Sequence, residues 1–442
     1  MVPHLTTALT GPINELEQRI LDATPVIERW FRLEWMEHTP PIYCAVDVRN
    51  AGFKLAPVAA DLFPDGWQHL ADSMMPLAAQ AAQAAIEKIC PEARNLLIIP
   101  ENGTPQPDYL AGLERLRDIF RMAGLNVRYG SIDPAIASAA SYAAADGQLL
   151  TFEAAQRSAY RLGLDHFTPC TILLNNRLNA GAPGILEELH EQYLLPPLQA
   201  GGSVRRKSVF HHCYAEVCKR FGKLIGIDAW LLNPLSAVTG PIDLHTQAGA
   251  DQLRAAVDAL LAKVRRKYKE YGIHEKPFAV VKANLGSSSM PAMAVHDARD
   301  IAPLPAPKPA RGKGGKGKAA AAEPAEYVVQ EGVLTQERLD SATAEPVIYT
   351  IDRYVVGGFY RLNAGRGSGE VLDTPDARQR PLALAGSDHL PRPGAKPGAS
   401  APNRFYMYGV AARLALVAVS YEMKSTDPEL KRAFGRAIPA VF

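Results

Sequence analysis

The feature that most constrains the fold is the stretch of residues 345–376, because it contains two strand-like runs in direct succession. Large side chains occupy every second position from Val347 to Ile351, and a run rich in aromatic and β-branched residues follows at 354–360. Alternation with a period of two residues is typical of β-strands. The pair Gly357–Gly358 lies inside the second run, where we expect it to bulge or turn the strand.

Charged residues follow the second strand directly. Arg361 comes first, and a glycine-rich loop then leads to Glu370, Asp373 and Asp376. Magnesium prefers hard oxygen ligands, and an arginine can neutralise charge on a phosphoryl group in transfer. The pattern is therefore typical of a site for a nucleoside triphosphate and Mg²⁺. On these residues alone, an edge hairpin with an acidic, solvated turn remains an alternative.

Composition excludes several classes of protein. The 442 residues suffice for two or three domains, and 47% hydrophobic with 21% charged residues is typical of soluble globular proteins. A net charge of +2 gives no indication of a nucleic-acid partner. The five cysteines lack C-x-x-C spacing, which favours reduced thiols. No membrane span and no signal peptide are recognisable, so a cytoplasmic protein is expected. A homo-oligomer is left open.

Three apolar runs end in polar loops, with helical segments between them. They begin at Ile42, Asn95 and Thr171. This order predicts an α/β fold, and in open α/β sheets ligands bind at the carboxyl ends of the strands. The candidate substrate-binding residues at these ends are Asp47, Arg49, Asn50, Lys54, Asn175 and Asn176. A solvated charged loop is the alternative interpretation of the first four.

A basic loop precedes one predicted helix. Arg205, Arg206 and Lys207 are placed to bind phosphate near the helix N-terminus, although such runs are often only a solvated face. His211 and His212 are adjacent and therefore point in different directions on a helix. A helical metal pair needs a spacing of four residues, so no metal site is predicted there.

Lys282 ends a strand and precedes a loop of small residues that includes Ser287 and Ser288. The lysine ammonium and the backbone N–H groups of the loop could together surround phosphates. The pattern differs from the P-loop, whose lysine opens a helix. Residues 303–325 are rich in Pro, Gly, Lys and Ala and are expected to form a mobile loop within a domain.

The order of these segments resembles an ATP-grasp domain. A strand with Lys282 is followed by a strand ending in the hinge Gln330–Val333, and then by two strands, Arg361 and spaced acids. In that fold, ATP lies between two α+β halves with the adenine near the hinge. The resemblance implies an N-terminal α/β substrate-binding domain at 1–245. An ATP-grasp-type domain would follow at 246–442, with the flexible insert inside it.

The whole chain resembles a proteobacterial family of glutamate–cysteine ligases. The motifs that carry the resemblance are PIYCAVDVRNAGFKLAPV, LNNRLNAGAP, RRKS, IGIDAWLLNP, VVQEGVLTQE, AEPVIYTIDRYVVGGFYR and YGVAARLAL. The resemblance implies ATP- and Mg²⁺-dependent joining of the γ-carboxylate of glutamate to the amine of cysteine, as the first step of glutathione synthesis. The reaction would pass through an acyl phosphate.

Site roles follow from this resemblance. It implies catalytic roles for Lys282 and Arg361. Nucleotide contacts would come from Lys282, Ser287, Ser288, Gln330, Glu331, Gly332 and Val333, and magnesium ligands from Glu370, Asp373 and Asp352. The amino-acid site would contain Asp47, Arg49, Asn50, Lys54, Asn175, Asn176, Arg205 and Arg206.

The chain is a divergent member of that family. Where the family has a loop similar to ADAGTYGMG, residues 283–291 read ANLGSSSMP, and the ENLNAPG-like metal motif is EVLDTPD at 370–376. Two hypotheses therefore stand. The first is a carboxylate–amine ligase whose acceptor is cysteine or another amine. The second is a catalytically degenerate homologue that binds nucleotide or amino acid as a regulatory or partner protein.

Overall fold

The computed structural model describes residues 12–145, 147–286, 292–305, 324–382 and 401–434. Its helices are α1 (Pro12–Asp22), α2 (Thr24–Glu37), α3 (Met75–Ile89), α4 (Pro107–Met122), α5 (Lys207–Ile225), α6 (Gln247–Glu270), α7 (Ala401–Thr426) and α8 (Pro428–Phe434). Its strands are β1 (Tyr43–Asn50), β2 (Leu55–Asp61), β3 (Asn95–Pro100), β4 (Asn126–Ser131), β5 (Ala139–Ala143), β6 (Leu149–Ala154), β7 (Gln156–Ser158), β8 (Arg161–Gly163), β9 (Thr171–Asn175), β10 (Tyr193–Leu195), β11 (Ser236–Val238), β12 (Ala279–Ala283), β13 (Met293–Val295), β14 (Tyr327–Glu331), β15 (Arg338–Leu339), β16 (Ala342–Ile351), β17 (Tyr354–Asn363) and β18 (Arg378–Leu382). The predicted mixed α/β fold is confirmed.

The central sheet joins distant parts of the chain. Its order is β18-β17-β16-β1-β2, with β15 paired to β16, and its neighbours are antiparallel. Helix α3 packs against β16 and β17, and α7 packs against β1, β2 and β16. Because helices contact these strands, β16 and β17 are buried at nearly every position rather than at every second one.

The predicted irregularity at the glycine pair is a bulge. Tyr349 pairs with Gly357 and Thr350 pairs with Val355, which leaves one extra residue in β17. Gly357 has φ +139°, a conformation that side-chain-bearing residues rarely adopt, and a Cβ there would lie 2.6 Å from a Leu70 methyl carbon. The bulge therefore depends on glycine both for its backbone conformation and for the close approach of Leu70.

A second sheet has the order β10-β9-β3-β4-β6-β5 and is parallel except for β5. β3 and β9 are buried along nearly their whole length and apolar at their centres, as expected for parallel strands covered on both faces. Their carboxyl ends meet at one edge of the sheet, where Glu101, Asn102, Asn175 and Asn176 follow the last apolar residues. This arrangement confirms the predicted strands and their polar ends.

A third, antiparallel sheet has the order β11-β14-β12-β13, and α6 packs against it. Two of the three larger sheets contain strands from both sides of residue 245: β1 and β2 pair with later strands in the first, and β11 pairs with β14 here. The division of the chain at residue 245 stays a prediction. Within the described ranges, none of the helices has the length and apolar character needed to traverse a bilayer.

Candidate active site

The register of the central sheet brings an arginine and two acids together. Glu345 on β16 is the Cα partner of Arg361 on β17, and Asp47 lies on the neighbouring β1. The Arg361 Nη1 donates to Asp47 Oδ2 at 2.9 Å and to Glu345 Oε1 at 2.5 Å. The other Glu345 oxygen accepts from Arg49 Nε at 2.6 Å. Asp47, Arg361, Glu345 and Arg49 thus form a chain of alternating charge, which we call the charge chain.

Arg49 connects the charge chain to two loops. Its Nη1 donates to the carbonyl of Val333 at 3.1 Å, and its Nη2 donates to the carbonyl of Glu370 at 2.8 Å. Only 6% of Arg49 is exposed. Its guanidinium therefore aligns the hinge and the acidic loop with Arg361, and three of its donors are used within the protein.

Burial and neighbouring charges set the protonation of this group. Burial raises the pKa of Asp47 to about 6, although Arg361 opposes the rise. Burial also favours the neutral form of Glu345, but Arg49 and Arg361 outweigh it and the pKa of Glu345 is lowered. Burial disfavours the charged form of Arg361, yet Asp47 and Glu345 hold its pKa above the usual value. Glu345 stays ionised and Arg361 stays protonated, so Asp47 is the member that titrates near neutrality.

Lys282 reaches this group from the third sheet. Its Nζ donates to the carbonyl of Val58 on β2 at 2.9 Å and to Gln330 Oε1 at 3.0 Å. Burial lowers the pKa of Lys282 to about 8, while Asp47 acts in the opposite direction. The structure thus places Lys282, Asp47, Arg49 and Arg361 in one electrostatic environment, although they come from three different strands.

The hinge carries both free and occupied polar groups. The Gln330 Nε2 is buried and has no hydrogen-bond partner among the described residues. The Gly332 N–H donates to the Phe278 carbonyl, and a Cβ on Gly332 would lie 2.2 Å from the Phe278 ring. The Val333 carbonyl is used by Arg49. Gln330 therefore has an unused amide donor beside Lys282, and the hinge backbone at Gly332 admits only glycine.

Lys54 and Glu331 were predicted to contact substrate and nucleotide; in this structure they contact each other, and their ligand contacts stay predictions. Lys54 is fully buried, and its Nζ lies 2.8 Å from Glu331 Oε2. The Glu331 carboxylate also accepts from Trp230 Nε1 and from the Leu235 N–H. Both side chains therefore have their partners inside the protein.

Three predicted substrate-binding amides have partners inside the protein. The Asn50 Nδ2 donates to Glu337 Oε1 at 2.8 Å. The Asn175 Nδ2 donates to the Pro64 carbonyl at 3.0 Å, and the Asn176 Nδ2 donates to the Pro100 carbonyl at 2.9 Å. All three side chains are buried. These three side chains connect loops of the protein in this structure. Their role in substrate binding stays a prediction.

The basic loop before α5, which was predicted to bind phosphate, is engaged with protein groups. Asn284 accepts from the Lys207 N–H through its carbonyl and from the Ser208 N–H through Oδ1, so the first N–H groups of the helix are occupied. Arg205 donates to both oxygens of Glu422, and Arg206 pairs with Glu326. The phosphate-binding role of Arg205 and Arg206 stays a prediction. The ammonium of Lys207 instead binds the carbonyls of Ala283 and Gly286, at the start of the loop after Lys282.

Of the predicted metal ligands, Asp373 contacts Arg361, Glu370 contacts Arg49 through its backbone carbonyl, and Asp352 lies elsewhere. Asp373 Oδ1 is 3.5 Å from Arg361 Nε, and Glu370 accepts from the Gly367 N–H at 2.6 Å. Asp352 occupies the turn between β16 and β17, beyond Ile351. At about 3.3 Å per residue, the length of β16 separates Asp352 from Glu345 by roughly 20 Å or more. Asp352 therefore lies far from the end of β16 that carries Glu345, and its role as a magnesium ligand stays a prediction.

Within the ranges that the structure describes, no group of three or more His, Cys, Asp or Glu side chains forms a preassembled metal centre. Ser287, Ser288 and most of the 303–325 insert lie outside those ranges.

Comparison with known proteins identifies the family. Residues 17–423 match the family model described as glutamate–cysteine ligase. The chain belongs to the glutamate–cysteine ligase family. The resemblance stated from the sequence motifs is thereby confirmed.

Among solved structures, one relative of this ligase covers almost the whole chain. It is a candidate γ-glutamylcysteine synthetase from Methylobacillus flagellatus KT, with 49% identity and a TM-score of 0.86. The match covers 97% of this chain and 100% of the other. Comparison with curated proteins gives no match.

Two further solved structures are much less similar to this glutamate–cysteine ligase family member. D-alanyl-alanine synthetase A from Vibrio cholerae O1 biovar eltor str. N16961 has 13% identity and a TM-score of 0.32, over 73% of this chain and 81% of that one. A glutathione synthetase-like effector (GSS30) from Globodera pallida has 9% identity and a TM-score of 0.34, over 79% and 81%. These two similarities are too low to indicate a function or a fold for this chain.

Sequence reasoning missed two charged groups of this ligase. Glu345 is one, although its position opposite Arg361 follows once β16 and β17 are paired. The other is Arg177, which donates to Asp61 at 2.8 Å and to Asp65 at 3.2 Å, while its backbone N–H donates to Glu101 Oε1. Arg177 is the second residue after β9, so the rule for polar residues at strand ends predicts its place but not its partners.

Proposed function

We propose that this protein is an ATP- and Mg²⁺-dependent carboxylate–amine ligase that acts on the γ-carboxylate of glutamate. The observation that carries the proposal is the buried charge chain, with Arg361 protonated between Asp47 and Glu345 and Lys282 in the same environment. Family membership supports glutamate as the acyl donor and cysteine as the first acceptor to test.

The reaction requires cations at a buried site. The γ-carboxylate oxygen attacks the terminal phosphorus of ATP, the bond to ADP breaks, and an acyl phosphate forms. The amine then attacks the acyl carbon, phosphate leaves, and the nitrogen loses a proton. Two anions approach each other in the first step, so fixed positive charge lowers its barrier. Lys282 and Arg361 would supply that charge, because neighbouring acids hold Arg361 in place before substrate arrives.

The nucleotide would lie between the hinge and Lys282. An unpartnered buried amide such as that of Gln330 is unfavourable in a folded protein unless a ligand uses it. The adenine edge presents both donors and acceptors, so it suits this amide. This placement keeps the phosphates toward Lys282, whose ammonium already bridges the third sheet and β2.

Glu370 and Asp373 suit a magnesium ion that binds together with the nucleotide. They do not form a metal site by themselves. Protein-bound Mg²⁺ usually takes one or two carboxylates together with phosphate oxygens and water. Both side chains are substantially exposed, at 42% and 75%, and both lie beside the charge chain. When bound, the ion would neutralise charge on the phosphates. The acids would exchange their present contacts with Arg366 and Arg361 for it.

The proposal is tested by phosphate release from Mg·ATP with glutamate alone and with glutamate plus each of a set of amines. We expect release that requires glutamate and one amine, with a γ-glutamyl amide identified by mass spectrometry. Lys282→Ala and Glu370→Ala should each lower the rate by about 10²- to 10³-fold, which is typical of a lost transition-state contact. Lys276→Ala is the matched control, because Lys276 is exposed before β12.

Two results would reject the proposal. One is unchanged turnover in both site variants. The other is ATP binding by calorimetry without phosphate release for any glutamate–amine pair, which would favour a binding protein without ligase activity.

A further inference from the structure

The hairpin between β1 and β2 contains a lysine that is buried completely. The Lys54 Nζ lies 2.8 Å from Glu331 Oε2 and 4.1 Å from the centre of the Trp230 ring. The Lys54 carbonyl accepts from the Ala51 N–H, which closes the turn that carries the lysine. The ammonium therefore has a fixed position on one acid and one aromatic face.

The partner acid is also held by groups other than Lys54. The Glu331 carboxylate accepts from Trp230 Nε1 at 3.2 Å to each oxygen, and Oε2 accepts from the Leu235 N–H at 2.8 Å. The Glu331 N–H donates to the Leu235 carbonyl at 2.6 Å. Side chain and backbone of Glu331 are thus both fixed at the residue where β14 ends and the hinge begins.

The same hairpin also holds the far side of the hinge. Arg49 donates to the Val333 carbonyl, so Lys54 and Arg49 fix the residues on either side of Gly332. Arg49 is also bonded to Glu345, which is bonded to Arg361. One two-stranded hairpin therefore connects the backbone of the hinge with Arg361.

The buried pair Lys54–Glu331 is not explained by a gain in the free energy of unfolding. Removing a lysine and a carboxylate from water is expensive, and replacement of a buried ion pair by apolar residues is often neutral or stabilising. Burial lowers the pKa of Lys54 to about 8 despite the neighbouring Glu331, which indicates that the pair compensates the burial only in part. The fixed position of the pair beside the hinge is therefore the property that its contacts do explain.

We propose that Lys54 and Glu331 are positioning residues that fix the hinge for a purine base and, through Arg49, fix Arg361 relative to the nucleotide. Neither residue touches the nucleotide. This inference rests on the proposed function for its ligand. The underlying claim, that the pair immobilises residues 331–335, does not require a ligand.

The first test is hydrogen–deuterium exchange of the nucleotide-free protein. Lys54→Met removes the charge and keeps an unbranched chain of similar length. Arg220→Met is the matched control, because Arg220 also pairs with an acid, Glu34, and also lies over a tryptophan ring, Trp30. We expect faster exchange in peptides covering residues 331–335 for Lys54→Met only. Equal exchange in that segment for wild type and both variants would overturn the proposal.

The second test measures nucleotide binding by calorimetry. Lys54→Met should raise the Kd for ATP by about 3- to 30-fold, the range typical of residues that act on a site without contacting it. It should also reduce the preference for ATP over GTP and lower kcat, with the KM for glutamate unchanged. A Kd equal to that of Arg220→Met would contradict the proposal.

A double variant covers the case in which Lys54→Met does not fold. Lys54→Met with Glu331→Gln leaves no unpaired charge behind the hinge, so folding is retained. Its hinge should still exchange faster than the wild-type hinge, and wild-type exchange would reject the positioning role. Failure of the proposed function is seen separately, as absence of ATP binding by the wild-type protein. The exchange experiment remains decisive in that event.

Discussion

Glu345→Gln is the substitution that examines the charge chain most directly. The variant keeps the size of the side chain and removes one negative charge that is shared by Arg49 and Arg361. The side chain of Glu345 is 3% exposed, and those of Arg49 and Arg361 are 7% and 11% exposed, so water does not replace the lost charge. Breaking a buried ion pair on one side costs about 3–5 kcal/mol. We expect a loss of that size in the free energy of unfolding.

The assay is urea unfolding followed by tryptophan fluorescence, with Glu370→Gln as the control. Glu370 pairs with Arg366, and both side chains are 42% exposed. An exposed pair of this kind contributes about 0–1 kcal/mol. The same chemical change should therefore shift the midpoint strongly at position 345 and weakly at position 370. In the ligase assay, Glu345→Gln should also lower kcat by about 10²-fold, because Arg361 loses one of the acids that hold it.

Equal urea midpoints for Glu345→Gln and Glu370→Gln would show that the buried charge of Glu345 does not stabilise the protein. That result would mean that the guanidinium groups of Arg49 and Arg361 find other partners at no cost. A lowered midpoint with normal turnover would retain the structural role of Glu345 and reject its role in placing Arg361.

The remaining predictions concern protonation, packing and metal binding. Burial depresses the pKa of Lys282 to about 8 and bound phosphates would raise it, so ATP binding at pH 8 should take up a proton and weaken above that pH. Calorimetry in buffers of different ionisation enthalpy measures this uptake. Gly332→Ala should lower the free energy of unfolding by about 1–3 kcal/mol, because its Cβ meets a buried ring, whereas Gly184→Ala has open space. Asp352→Asn should leave the Mg²⁺ dependence of turnover unchanged, and Glu370→Gln should raise the Mg²⁺ concentration required for turnover. An increased Mg²⁺ requirement in Asp352→Asn alone would support Asp352 as the magnesium ligand.

Local patterns were sufficient for much of the fold. The alternation after Glu345 predicted β16 and β17, and the Gly-Gly pair predicted the bulge, because period and glycine placement are properties of neighbouring residues. The apolar runs that begin near Ile42, Asn95 and Thr171 became β1, β3 and β9 for the same reason.

The roles of individual polar residues were less predictable. Asn50 ends β1 and Lys54 follows it, and the sequence pattern predicts ligand contacts for both. Their partners are instead Glu337 and Glu331, which lie far along the chain. A polar residue after a strand has the same local pattern whether it binds a substrate or a second loop. Asn284 likewise gave no sign that it would occupy the first N–H groups of α5.

The sequence alone determined the family and the main strands, and it predicted Lys282 and Arg361 as members of one site. Only the tertiary structure decided which acids surround them. Arg49 and Glu345 are 296 positions apart and meet because β1 pairs with β16 in one register. A shift of that register by one residue would turn Asp47 and Arg49 to the opposite face of the sheet. That pairing depends on the packing of the whole sheet against α3 and α7, and no local pattern encodes it.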